Sequence, residues 1–222
     1  RQGREHNRRM MEQDFENPRL WEEEKPFLKD FFVPYSVYDS TFHERPLRGE
    51  AAPLDPCCAS CREPGDRVTL CVYIEDESWR DAWNSILANA DKVEEALSAK
   101  LRAVNERNLK QHFEENLPGM RQWQKHWDFI LSQVGADPET LLSRMFKLTG
   151  VSIVRSDPEG EWVVGFEFQT GWDMDHGLEI LMWGHKVLTS AGMLELTSTG
   201  RSPIMGAKVN QKYELDPGAY VL

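Results

Sequence analysis

Val151-Ser152-Ile153-Val154-Arg155, Asp157-Pro158-Glu159-Gly160 and Trp162-Val163-Val164-Gly165-Phe166-Glu167-Phe168 form the stretch whose reading decides the fold. Apolar and polar residues alternate on both sides of an Asp-Pro-Glu-Gly turn, so two strands are expected here, from Val151 to Arg155 and from Trp162 to Phe168. The Thr170–Gly177 loop follows, then a third strand, Leu178–Trp183; Gly184 punctuates it, and Lys186–Thr189 continue it or pair back. This is the pattern of an antiparallel β-meander.

Upstream, the period changes to that of helices. Ser78 reads as an N-cap. Trp79, Trp83, Ile86, Ala90, Val93, Leu97, Leu101 and Val104 follow it at spacings of three and four, which predicts one amphipathic helix of roughly 25 residues. Pro118-Gly119 interrupts the pattern. Met120, Trp123, Trp127, Ile130, Leu131 and Val134 predict a second helix closed by Gly135. Asp137-Pro138-Glu139 starts a short third one carrying Leu141, Leu142, Met145 and Phe146, with Asp as cap and Pro in the first turn. Ahead of all of these, Val68, Leu70, Val72 and Ile74 share one face of a half-buried strand. The fold class is therefore α+β: one strand, two to three helices, then an antiparallel β-meander.

Residues 1–66 read as an irregular N-terminal extension, and 67–222 as a single α+β domain. Met10 to Leu28 has helical character interrupted by Pro18 and Pro26, and Pro34, Pro46, Pro53, Pro56 and Pro64 exclude a long helix or central strand. Phe31, Phe32, Val33, Tyr35, Val37, Tyr38 and Phe42 are too apolar for a free linker. They are expected along the surface of the main body, with a short edge strand at most.

Composition narrows the function classes. The formal charge is −11, from 26 Lys and Arg against 37 Asp and Glu. Such a surface repels phosphate backbones and attracts basic proteins, so the expected partner is another, basic protein rather than nucleic acid. A short basic start, Arg1, Arg4, Arg8 and Arg9, reads as a solvated tail, and Glu22-Glu23-Glu24 as a solvated face. No apolar run reaches the ~18 residues of a membrane span. The chain starts at Arg1 rather than Met, as a fragment or processed product does. Four cysteines are too few for a disulfide scaffold, which points to thiols in a reducing cytoplasm.

Chemistry is concentrated in Trp172-Asp173-Met174-Asp175-His176-Gly177. Asp173, Asp175 and His176 fall within four residues, with Glu179 beyond and His185 across the next strand. Carboxylates beside an imidazole can bind a cation or form an acid–base pair, although a calcium loop needs about twelve residues with a closing Glu. The plainer reading is a structured turn, with Asp173 capping amides, Gly177 at positive φ and Trp172 plugging the core. Cys57, Cys58 and Cys61, with Cys71 and His43, form the second cluster. A structural zinc would use Cys58, Cys61, Cys71 and His43, but one C-x-x-C pair is a weak signal and no cofactor is expected. Trp79, Trp83, Trp123 and Trp127 read as core packing before a ligand groove. The hydrolase, phosphate-loop and dinucleotide signatures are all missing from the sequence.

The segment Gly165–Leu178 resembles bacterial domains of unknown function that carry a Trp-Asp-x-Glu-His-Gly loop between two late strands, with Asp175 here in place of Glu. Met182-Trp183-Gly184-His185-Lys186-Val187 is similar to the Trp-Gly-His-x-Ile segment of a related family. The resemblance spans residues 67–192 and leaves 1–66 unmatched. Some such domains look like immunity or accessory proteins of toxin systems, and the function expected here is a non-enzymatic protein-binding module that contacts its partner through its acidic helix faces and through Trp172, Asp173, Asp175, His176 and His185. The alternatives are a metal-dependent hydrolase using Asp173, Asp175, His176 and His185, and a structural scaffold whose residues 1–66 wrap another chain.

Overall fold

Val68, Leu70 and Val72 share one face of a strand and are all sealed from solvent, and the sheet is built outward from them. The computed structural model describes residues 19–35, 61–72, 77–114, 128, 130–155, 162–171 and 177–191. Its strands are β1 (Arg19–Glu24), β2 (Arg67–Val72), β3 (Phe146–Arg155), β4 (Trp162–Thr170), β5 (Leu178–Trp183) and β6 (Lys186–Ala191). They form one sheet in the order β1-β2-β3-β4-β5-β6. All neighbours are antiparallel except β2 and β3, which run parallel from Thr69↔Gly150 to Val72↔Ile153. A parallel pair needs a crossover, and the helices supply it: α1 (Trp79–Ala88), α2 (Ala90–Glu114) and α3 (Pro138–Met145). The architecture is α+β, and β6 does pair back on β5.

The helices bury one face. Trp79, Ala82, Trp83 and Ile86 of α1 and Val93, Leu97, Leu101 and Val104 of α2 join Leu70, Val151, Phe166, Ile180 and Met182 of the sheet in one core. Trp79 and Trp83 are therefore core residues, as their spacing implied, while Trp123 and Trp127 lie outside the described residues. Phe27 reaches the centre of this core, edge-on to Phe166 with ring centroids 5.9 Å apart. β5 is buried along almost its whole length, which explains why Leu178–Trp183 reads as a near-continuous apolar run. No helix among the described residues is long and apolar enough to cross a membrane.

Four details depart from the sequence reading. Arg19–Glu24, inside the stretch read as interrupted helix and irregular extension, form the edge strand β1, held against β2 without a register shift. Trp21 explains this: its ring lies 5.6 Å from that of Trp79, and the Arg80 guanidinium sits over both rings. Tertiary contact outweighs local propensity here. The single long helix is two helices. Asn89 leaves helical geometry (φ −118°, ψ 27°) and its side chain donates to Ser85 O at 2.9 Å, the backbone competition that makes Asn a helix breaker. Ser78 is itself in helical geometry and makes no side-chain cap. Finally, β3 starts at Phe146, directly after Met145, with a bulge between Leu148 and Gly150. The other helix signals hold: Gly135 N–H closes residues 130–134 on Leu131 O, and Asp137 caps Thr140 at 2.8 Å.

Lys25 follows β1 and its backbone N–H donates to Asp66 O at 2.8 Å. Its side chain is fully buried, and Nζ has no hydrogen-bond partner among the described residues. Burial, and then the nearby Lys147 charge, lower its pKa from 10.5 to about 8 against the opposing pull of Asp66. Between those values the unfolded chain holds the proton and the folded chain does not. Stability is therefore predicted to rise with pH across 8 to 10.5. Lys25→Met is expected to abolish that rise and to stabilise the fold at neutral pH by roughly 2–3 kcal/mol, as checked by urea denaturation at a series of pH values.

Candidate functional site

The loop that concentrates the chemistry is anchored by two glycines. At Gly171 a Cβ would lie 2.5 Å from Met145 Cε and 3.0 Å from Tyr35 O, and its N–H donates to Met145 O at 2.8 Å. A larger residue there would have to displace the Met145 side chain and crowd Tyr35 O, where β4 leaves the sheet between the end of α3 and the N-terminal segment. Gly177 takes φ 58°, the left-handed geometry foreseen for it, and turns the chain into β5. Trp172, Asp173, Asp175 and His176 lie between these anchors, outside the described residues.

His185 is described. It occupies the turn between β5 and β6, exposed to solvent. The six residues of β5 separate it from Gly177 by about 20 Å at ~3.3 Å per residue. The spacing in sequence suggests neighbours, but an extended strand carries them to opposite ends of the sheet. Of the zinc candidates, His43 and Cys58 lie outside the described residues, as does Cys57. Cys61 is buried, and Cys71 is half-buried on β2. Among the described residues no three His, Cys, Asp or Glu side chains converge as a metal site requires.

At the His185 end of the sheet there is a cleft of about 270 Å³ between α1 and the ends of β4 and β5. Ile86 and Val164 form its apolar lining, Trp162 and Trp183 add aromatic surface, Gly184 borders it, and Asp81 from the first turn of α1 adds a carboxylate. Trp162 and Trp183 are half-buried and Asp81 is exposed. The volume falls just short of the ~300–1,000 Å³ of cofactor and small-molecule sites, and suits a single inserted side chain. Indole surface beside a carboxylate favours a cation. Sequence reasoning missed Trp162, Trp183 and Asp81. The available signal was that both tryptophans sit at strand ends, next to turns, where a large ring cannot be covered on all sides.

A second feature involves Glu179, the carboxylate noted just beyond the loop. It is buried on β5, directly opposite Glu167 of β4. Ser152 Oγ donates to Glu167 Oε1, and a Cβ at Gly150 would lie 2.7 Å from Glu167 Oε2, so Gly150 makes room for this carboxylate. Burial pushes the Glu167 pKa up, and the Ser152 hydrogen bond only partly opposes this. The folded chain therefore keeps a proton that the unfolded chain loses just above the usual carboxylate range, and stability falls as pH rises through that interval. Glu167→Gln, which can still accept from Ser152, is expected to flatten this fall and to stabilise the domain at neutral pH. Thermal unfolding across the acidic range checks it.

No curated protein and no solved structure matches this chain. Residues 65–196, from just before β2 to just beyond β6, match a domain of unknown function, DUF6985, and the span of the resemblance seen in the sequence, 67–192, lies inside that match. The match covers more than half of the 222 residues, and the chain belongs to the DUF6985 family.

Proposed function

We propose that this domain is a non-enzymatic protein-binding module that engages a basic partner, in the manner of an immunity-type inhibitor. The observation that carries the reading is the cleft where Trp162, Trp183 and Asp81 meet. A lysine or arginine side chain entering it gains indole contact, a carboxylate counter-charge and partial desolvation. The formal charge of −11 adds long-range attraction, which raises the association rate with a cationic protein more than it raises affinity. His185 follows Gly184 at the border of the cleft and extends the contact surface. Trp172, Asp173, Asp175 and His176 would form a second contact region at the far end of β5.

The reading is tested by titrating the full chain with lysine- and arginine-rich peptides, following tryptophan fluorescence and binding heat. Binding is expected to weaken with salt. Trp183→Ala and Asp81→Asn are each expected to lower affinity roughly tenfold. Equal binding of acidic peptides, or affinity unchanged in both variants, would refute it.

A further inference from the structure

We propose that β1 is a docking edge to which an extended, basic segment of the partner protein adds as a further strand. Among the described residues β1 pairs with β2 on one side only. On its other side every second backbone N–H and C=O faces away from the sheet, a ready template for strand addition. The side chains are correspondingly open: Arg19, Leu20, Glu22 and Glu24 are exposed, Leu20 to 65%. An apolar residue that open on a strand has surface left for a partner to cover.

The edge is also held rigid. Trp21 lies beside Trp79, and the Arg80 guanidinium caps both rings, 5.1 Å and 4.5 Å from their centroids, and is itself held by Glu77 at 2.6 Å. On the opposite face Thr69 Oγ1 donates to Glu22 Oε1 at 2.5 Å, and Arg67 Nη2 donates to Glu22 O at 2.9 Å. A template already fixed in strand geometry loses little conformational freedom when another strand joins it.

Natural edges are usually protected by a bulge, a proline or a lysine. The β1–β2 register is unbroken, and Arg19–Glu24 contains no proline or lysine. Three consecutive carboxylates, Glu22, Glu23 and Glu24, take their place. They favour basic residues opposite them. The strand that fits is therefore extended, basic along three positions and apolar opposite Leu20. This inference deepens the binding reading above and rests on it for the sign of the partner's charge.

The test uses the full chain and a synthetic strand-forming peptide with three consecutive lysines and a valine two residues from them, with a second version carrying a central proline. Amide hydrogen exchange is read by NMR. The lysine-bearing peptide is expected to slow exchange across Arg19–Glu24 by about tenfold or more at saturation, and the proline version, which cannot complete the ladder, is not. Glu24→Lys, at an exposed side chain, should weaken binding several-fold with the melting temperature unchanged; Glu24→Gln should lie between. Protection of β1 that survives Trp183→Ala supports the docking edge even if the cleft reading fails. Binding that depends on Trp183 but leaves β1 exchange unchanged overturns the docking edge and leaves the cleft reading standing. Equal binding of the proline version overturns it too, since charge alone would then explain the affinity. So does β1 protection in the free chain that is lost on removing residues 1–18 or on dilution, because the occupant would then be the chain's own start or a second copy.

Discussion

The parallel pairing of β2 with β3 governs the rest of the molecule. Thr69↔Gly150 through Val72↔Ile153 lie side by side and point the same way, so the chain leaving β2 must cross over the sheet before β3 can start. The crossover lays α1 and α2 on one face, where their apolar stripes meet Leu70, Val151, Phe166 and Ile180. It also leaves the outer side of β2 to be covered by β1, and the side of β3 away from β2 to the β4–β5–β6 meander. The cleft bordered by Asp81, Trp162 and Trp183 is a by-product of the same geometry, since it forms where α1 passes over the ends of β4 and β5.

Within this frame, polar groups are placed at some cost. Lys25 is buried with no hydrogen-bond acceptor among the described residues, and Glu167 and Glu179 face each other across neighbouring strands. Neither arrangement maximises stability, because buried charges are costly unless well paired. Glu167 is partly compensated by Ser152 and by the space that Gly150 leaves. Both features sit away from the aromatic cleft, so whatever they do for the domain is separate from the basic-partner reading.

The meander and the helix faces were legible in the sequence because period carries them. Leu178–Trp183 has the bounds expected of it, and Asp137 and Gly135 act as the start and stop signals they resemble. β1 was not legible. Arg19-Leu20-Trp21-Glu22-Glu23-Glu24 has no strand alternation, and becomes a strand because Trp21 finds Trp79 and Arg80 from a helix some sixty residues further along the chain. The break at Asn89 was hidden for the opposite reason: the apolar spacing runs straight through it, while the side chain that ends α1 is polar and bonds locally to Ser85. The candidate site was the least legible part. Of its residues His185 is described, and β5 drawn out to its full length separates it from Gly177.

The sequence alone determined the fold class, the amphipathic helix faces, the order of the late strands and the anionic surface, because each follows from local period, capping chemistry or net charge. Only the tertiary structure decided that β2 and β3 run parallel, that Arg19–Glu24 form an edge strand, that β5 separates His185 from Gly177, and that Asp81, Trp162 and Trp183 border one cleft. These depend on which distant residues meet. That is set by burying the faces of α1 and α2 on the sheet together, and no window of neighbouring residues contains it.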